Sequence, residues 1–193
     1  MGLYTSDYLK ELSTRKQFIF EQKVFSVKNS PANTTFDIFL SHSFLDKFEV
    51  QGLYQELTDL GYSVYVDWIV DPHLNRDNVT KESAELVRRR LKSSKTLLLA
   101  ISTNATLSKW IPWELGYIDG HTNRCAIIPV TKDRVAPKSF KGTEYLALYP
   151  FIKKLSGTGD IFIVESEHRY SEFKPWFLDG IIRENKNINI FTL

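Results

Sequence analysis

Two serines and a histidine directly follow a short apolar segment. Residues 36–40 are predicted to form a buried strand of a parallel sheet, and Ser41, His42 and Ser43 come next. In such sheets, ligands bind at the carboxyl ends of the strands. Hydroxyls and free backbone N–H groups at a helix start favour an anion such as a phosphate. A second interpretation also stands, in which Ser43 only caps the following helix.

Several common kinds of active site are excluded. No glycine-rich motif follows the first strand, so the dinucleotide-binding fingerprint and the P-loop are both absent. A phospho-receiver site would need acidic residues after the first strand and an aspartate after the third strand, where the chain has Ala100-Ile101-Ser102. The four histidines include no zinc-binding helical pair, so we expect no metal site. No nucleophile-elbow motif occurs, so a Ser-His-acid triad is not expected either.

Composition indicates a globular domain that binds neither nucleic acid nor a membrane. The 193 residues are 42% hydrophobic, which suits one domain with a packed core. The 25 basic and 23 acidic residues nearly balance, whereas a duplex-binding protein needs a basic face. The single cysteine excludes an internal disulfide, and no apolar run reaches the roughly 18–20 residues of a membrane span. We therefore expect a cytoplasmic protein.

Strands and helices alternate along the middle of the chain. Four short apolar segments are predicted as strands, at 36–40, 62–66, 96–101 and 125–130. Three segments between them have helical spacing, at 44–60, 80–92 and 110–118. This alternation indicates an α/β fold with a doubly wound parallel sheet. The loops at 41–45 and 67–79 should then lie at the same edge of the sheet.

The two ends of the chain differ from this centre. Residues 1–33 have mostly helical spacing and end in a breaker segment, so they are predicted as an N-terminal helical extension. The central domain is assigned to 34–150, and 151–193 to a C-terminal extension packed on it. The weaker pattern near the end predicts three further elements, strands at 144–149 and 161–165 and a helix at 171–183.

Four segments, taken in order, resemble the sequence boxes of TIR domains. They are Phe36-Asp37-Ile38-Phe39-Leu40-Ser41, Gly61-Tyr62-Ser63-Val64-Tyr65-Val66-Asp67, Ser94-Lys95-Thr96-Leu97-Leu98-Leu99-Ala100-Ile101-Ser102 and Ser108-Lys109-Trp110-Ile111-Pro112-Trp113-Glu114-Leu115-Gly116. The resemblance covers about residues 34–150. The type that it resembles is the stand-alone bacterial TIR protein of the Thoeris antiphage systems.

This resemblance implies a flavodoxin-like fold and, for many members, cleavage of NAD at the nicotinamide–ribose bond by a glutamate. That glutamate lies on the helix after the second-strand loop, and the chain offers Glu82, Glu85 and Glu114 in or near it. Glu85 matches the family position to within one residue and is predicted to be catalytic. Glu82 is expected to be solvated, and Glu114 is expected to be a structural carboxylate at a helix start.

Further residues are predicted to bind the substrate, NAD, and no additional cofactor is expected. Ser41, His42 and Ser43 would contact its pyrophosphate or ribose. Trp68 is a candidate for stacking on a base. Arg76 is a candidate for contacting the phosphates or an adjacent subunit, and a solvent-exposed loop arginine is the equal alternative.

Two functions stay open on the sequence alone. In the first, the protein is an NAD glycohydrolase or ADP-ribosyl cyclase, and its product, a cyclic ADP-ribose isomer, diffuses to a separate effector protein in antiphage defence. In the second, the protein is a non-catalytic scaffold that acts by TIR–TIR association. A nucleoside-processing transferase with a related sheet is a weaker third hypothesis. The family also implies a homo-oligomer whose cleft is built from two subunits.

Overall fold

The computed structural model describes residues 2–28, 30–31, 33–43, 45–74, 80–102, 110–133, 137–142, 144–155, 159–186 and 189–190. Its strands are β1 (Tyr4–Thr5), β2 (Phe36–Ser43), β3 (Val64–Tyr65), β4 (Ser94–Ser102), β5 (Cys125–Thr131), β6 (Phe151–Lys154), β7 (Ile161–Val164) and β8 (Tyr170–Glu172). Its helices are α1 (Ser6–Arg15), α2 (Gln17–Val27), α3 (Lys47–Asp59), α4 (Asp67–Val70), α5 (Lys81–Lys92), α6 (Ile111–Thr122) and α7 (Phe173–Asp179), with a 3-10 turn at Glu144–Leu148.

Strands β2, β4 and β5 form the centre of one sheet, ordered β3-β2-β4-β5-β6-β7-β8. The pairs from β3 to β6 are parallel, and β6–β7 and β7–β8 are antiparallel. All seven residues of β5 are buried, because helices cover both faces of a parallel sheet. The predicted α/β parallel sheet is confirmed. Because β2 and β3 are parallel, their carboxyl ends meet at one edge, which is called here the carboxyl edge.

Some predicted elements differ in type or extent. Helix α3 begins at Lys47, after Asp46, whose carboxylate accepts the backbone N–H of Glu49 at 3.0 Å. Ser43 is therefore the last residue of β2, and its interpretation as a helix cap is wrong. The segment from Glu144, predicted as a strand, is a 3-10 turn. Glu144 has a φ of 51°, which an extended strand does not allow.

The N-terminal segment takes part in the sheet. Besides two helices it contains β1, which pairs with β5 in parallel, and Gly2 forms a backbone bridge with Lys154 of β6. Helix α1 packs on α3 very closely, because a Cβ added at Gly52 would lie 2.3 Å from the backbone oxygen of Leu9. Only glycine fits at this position without displacing α1.

Glu56 on α3 gathers several contacts from other elements. Its carboxylate accepts the hydroxyls of Tyr4 at 2.9 Å and Tyr8 at 2.6 Å, and it forms an ion pair with Lys154 at 2.8 Å. Burial and Glu56 raise the pKa of Tyr4 well above its usual value, so Tyr4 stays a neutral donor. These bonds connect the N-terminal segment, α3 and β6.

The C-terminal segment lengthens the sheet by β6, β7 and β8. Helix α7 contacts β7 and β8 and buries Phe173 and Trp176. The helix predicted at 171–183 is shorter in the structure, because its first residues belong to β8 and α7 ends at Asp179, before Gly180 with its φ of 75°. In the described part of the chain, no helix is long and apolar enough to cross a membrane.

Candidate active site

Glu114 and Ser41 form a buried polar pair at the carboxyl edge. Ser41, near the end of β2, donates its hydroxyl to Glu114 Oε2 at 2.6 Å. Ser41 is 3% exposed and Glu114 is fully buried. Since a buried carboxylate is costly without polar contacts, its presence at the ligand-binding edge of the sheet marks a candidate site.

The local sequence explains why Glu114 lies there. It is in the first turn of α6, where Pro112 fits the helix start and the backbone N–H of Glu114 bonds to the oxygen of Trp110. The apolar residues Ile111, Leu115 and Ile118 bury one face of α6 against the sheet. Glu114 is on this buried face, and the positive end of the helix dipole stabilises its charge.

Strand geometry separates the three residues that were predicted to bind the substrate together. Side chains alternate along a strand, so Ser41 and Ser43 share the face that meets Glu114, and His42 lies on the other face. Ser43 is 6% exposed, while His42 is half-buried with Nδ1 at 3.4 Å from the backbone oxygen of Leu40. The structure therefore brings Ser41 and Glu114 together and places Ser43 on the same strand face as Ser41.

Trp68 lies in α4, directly after β3, and is half-buried. Its ring centroid is 6.3 Å from that of Phe20 on α2, and the Lys47 ammonium lies 4.9 Å from the ring. The ring thus packs between α2 and α3, close to the end of β3. Arg76, the other loop residue predicted to contact NAD, lies outside the described residues.

Glu85 is exposed in α5, in contrast with Glu114. No hydrogen bond or ion pair involves it within the described residues. Glu82 is also exposed and lines a cavity of about 400 Å³ beside the start of α5, a cavity that Glu85 does not line. Electrostatic catalysis requires an aligned group shielded from water. Glu114 is thus shielded but has no surface open to a substrate, whereas Glu85 is accessible, so burial does not decide between them and the catalytic role of Glu85 stays a prediction.

The neighbouring residues in the sequence indicate why Glu114 is buried and Glu85 is exposed. Glu114 is a single acid within the apolar run Ile111-Pro112-Trp113-Glu114-Leu115-Gly116-Tyr117-Ile118, whereas Glu85 has charged neighbours on its helix. A lone charge on an apolar helix face is buried together with that face, so it needs polar partners that offset the free-energy cost of desolvation.

A second buried charged pair lies toward the opposite, amino end of the sheet and was not predicted. Arg90 of α5 is 1% exposed and binds Asp71 through Nε at 2.8 Å and Nη2 at 2.7 Å. The hydroxyl of Tyr65 on β3 adds a bond to Asp71 at 3.1 Å. Val87 and Leu91 are buried on the same side of α5, so the helical spacing of Arg90 from them was the available signal.

Chemically, the Ser41–Glu114 pair offers a shielded carboxylate with an adjacent hydroxyl. Such a pair can bind sugar hydroxyls and stabilise positive charge that develops on a reacting carbon. Within the described residues, no group of three or more His, Cys, Asp or Glu is arranged to bind a metal ion.

Comparison with known proteins gives one family and two relatives. The family model described as TIR domain matches residues 38–154. A protein of Bacillus cereus (strain MSX-D12) named "Probable 3' cyclic ADP-D-ribose synthase ThsB'" is 47% identical over 153 residues, which are 77% of this chain and 79% of the relative. A protein of Cytobacillus dafuensis, provisionally named cyclic ADP-D-ribose synthase TIR2, is 26% identical over 114 residues, 56% of this chain and 30% of that relative.

Proposed function

The chain belongs to the TIR-domain family, and from this premise we propose that it cleaves NAD and closes the ADP-ribose part into a cyclic isomer. The observation that carries the proposal is the buried Ser41–Glu114 pair at the carboxyl edge of the sheet. Both relatives are named as cyclic ADP-D-ribose synthases, which supports the same class of product.

One carboxylate is sufficient for this reaction. A glycosidase must supply an acid that protonates its leaving oxygen. In NAD the leaving group is a cationic ring, so the bond between the ring nitrogen and the ribose carbon breaks with both electrons going to nitrogen. Nicotinamide leaves neutral without gaining a proton. The protein then has to bind the ribose hydroxyls and stabilise the positive charge that develops on the sugar.

In this proposal the catalytic carboxylate is either Glu85, as the sequence analysis predicts, or Glu114. Ser41 donates its hydroxyl to one carboxylate oxygen of Glu114 and so fixes the orientation of that carboxylate. Ser43, on the same strand face, remains a candidate for binding the substrate, together with Trp68 and Arg76. His42 has the weakest case, because strand alternation directs it to the other face.

The nucleophile that attacks the ribose carbon decides the product. Water would give ADP-ribose, whereas a hydroxyl of the same molecule, after losing its proton to solvent, gives a cyclic isomer. The name of the Bacillus cereus relative specifies a 3' cyclic product, so the same isomer is proposed here. We propose that this product reaches a separate effector in antiphage defence and that the protein works in the cytoplasm, as a homo-oligomer, with NAD as substrate and no further cofactor.

Mass spectrometry of NAD incubated with the purified protein tests this function. We expect free nicotinamide and a product one water lighter than ADP-ribose, both unaffected by a chelator. Lysate from phage-infected cells is added in a parallel sample in case the protein needs a trigger. ADP-ribose alone would make the protein a hydrolase. No turnover in either sample, together with self-association, would favour the scaffold, and turnover of a deoxynucleoside would favour the transferase.

A further inference from the structure

The N-terminal segment is connected to the residues that follow β3 in two separate places, once by direct contact and once through a side chain of α5. These residues, 67–74, comprise α4 and the turn after it and are called here the α4 segment. In the first place, Phe20 of α2 is 7% exposed and packs edge-on against Tyr54 of α3 at 5.7 Å. The centroid of the same ring lies 6.3 Å from that of Trp68, and the Lys47 ammonium of α3 lies over the Trp68 ring, 4.9 Å from its centroid. Trp68 is therefore located by α2 and α3 together.

The second place is the guanidinium of Arg90. It donates two bonds to Asp71 of the α4 segment and one bond each, at 2.8 Å, to the backbone oxygens of Ser30 and Pro31. Ser30 and Pro31 lie in the linker between α2 and β2. One buried side chain thus joins α5, the α4 segment and the N-terminal linker.

The geometry of this contact is specific to arginine. A guanidinium presents its donors in a fixed plane that matches a carboxylate, and it has donors left for the two carbonyl oxygens. A lysine ammonium could keep the charge next to Asp71, but it could not reproduce the paired bonds and both carbonyl contacts. The position of the α4 segment therefore depends on the shape of the Arg90 side chain as well as on its charge.

We propose that Arg90 and Phe20 are positioning residues for the reaction, and that through them the N-terminal segment sets the position of the α4 segment beside the active site. The inference rests on the proposed function, because the α4 segment leaves β3 at the same carboxyl edge as Ser41 and Glu114. Neither Arg90 nor Phe20 touches the substrate. They determine where the backbone and side chains of residues 67–74 meet it.

The N-terminal segment is fastened to the domain independently of these two contacts. Helix α1 is attached by its close approach to Gly52 and by the Glu56 contacts of Tyr4 and Tyr8. Weakening the α2 and Arg90 contacts should therefore loosen the α4 segment while α1 stays docked. Leu12 of α1 is 4% exposed and lies on the helix that packs against α3, so Leu12→Ala is a control that lowers stability elsewhere.

The test compares Arg90→Lys, Phe20→Leu and Leu12→Ala with the wild type, below the onset of thermal unfolding. Hydrogen–deuterium exchange without NAD reports directly on residues 67–74. We expect Arg90→Lys and Phe20→Leu to speed exchange there by roughly tenfold, and Leu12→Ala to leave it unchanged. KM for NAD should rise by roughly tenfold in the first two variants, with a smaller change in kcat, and stay at the wild-type value in Leu12→Ala.

A purely structural role would give another pattern. If Arg90→Lys and Phe20→Leu lower the melting temperature as Leu12→Ala does, but leave both exchange in 67–74 and KM at wild-type values, the proposal is wrong. Should Arg90→Lys fail to fold, Phe20→Leu and Asp71→Asn carry the same comparison. If the wild type cleaves no NAD, the exchange measurement still decides whether the N-terminal segment positions the α4 segment, so the two failures are distinguishable.

Discussion

Helices α5 and α6 occupy equivalent places in the fold, yet they use their charges in opposite ways. Each is the last helix before the next strand along the chain, α5 before β4 and α6 before β5, and each has glutamate in its first half. On α5 the glutamates are exposed and the buried charge is Arg90, which is matched by Asp71. On α6 the buried charge is Glu114, which accepts a bond from Ser41. Both helices therefore bury one charged residue with a polar partner, and only on α6 is that residue a glutamate.

Exchanging each glutamate for glutamine gives the largest contrast between the two helices. If Glu114 is the catalytic carboxylate, Glu114→Gln keeps the size of the side chain but removes the charge, so nicotinamide release should fall by roughly two to three orders of magnitude. In that case Glu85→Gln, on the exposed surface, should change the rate by less than about twofold, since surface substitutions cost little. Both rates are measured on folded protein checked by circular dichroism. Loss of activity in Glu85→Gln with a fully active Glu114→Gln would assign the catalytic role to α5.

Buried serines allow the same comparison at a finer level. Ser41→Ala removes the bond to Glu114, and because a hydrogen bond to a charged group contributes about 1.5–3 kcal/mol, kcat should fall by roughly 10- to 100-fold. Ser94→Ala is the matched control, since Ser94 is equally buried and bonds to the backbone oxygen of Arg90 at 2.8 Å, at the α5 end of β4. It should lower stability and leave kcat near the wild-type value. Equal losses of kcat in both variants would argue against an orienting role for Ser41.

The ends of the two helices predict opposite stability effects. Thr80 caps α5 by accepting the backbone N–H of Ser83 at 3.1 Å, so Thr80→Ala should lower the free energy of unfolding by about 1 kcal/mol. Gly120 lies near the end of α6, and a Cβ added there would have no neighbouring atom within 4 Å. Gly120→Ala should therefore raise the free energy of unfolding by up to about 1 kcal/mol. Urea unfolding measures both values. A destabilised Gly120→Ala would mean that α6 packs differently at its end.

The smallest expected effect is a difference in alkaline sensitivity. Tyr149 donates to Asp119 of α6 at 3.3 Å, and burial followed by that carboxylate raises the pKa of Tyr149 from 10.0 to about 12. The unfolded state loses this proton first, so the stabilising contribution is complete below pH 10 and is lost as the pH rises toward 12. On α5, burial lowers the pKa of Arg90, but the Asp71 contact more than offsets this effect, so the guanidinium stays charged.

Unfolding free energies of the wild type and Tyr149→Phe should therefore converge with rising pH. The wild type should be the more stable protein at pH 8, and the gap should narrow or reverse at pH 11. Because both proteins share all other titrating groups, the change in the gap isolates Tyr149. A gap that stays constant between these pH values would contradict the assigned hydrogen bond.

Local sequence patterns were sufficient for the central elements. The apolar runs that became β2, β4 and β5 and the cap at Thr80 were predictable, because burial on both faces and capping depend on nearby residues. Strand β1 was not predictable, because a two-residue strand exists only through its pairing with β5, more than a hundred positions away. The turn at Glu144 was missed because an apolar segment suits a strand as well as a helical turn.

The amino-acid sequence by itself determined the α/β class, the TIR family and the edge of the sheet at which the candidate site lies, since periodicity, motif order and the rule for parallel sheets are all local or topological. The tertiary structure decided which glutamate is shielded. Whether Glu85 or Glu114 faces the protein interior depends on how α5 and α6 rotate as they pack, and that rotation is set by long-range contacts such as Arg90 with Asp71 and Glu114 with Ser41. Desolvation of a charge is a property of its whole surroundings, which residues distant in the chain supply.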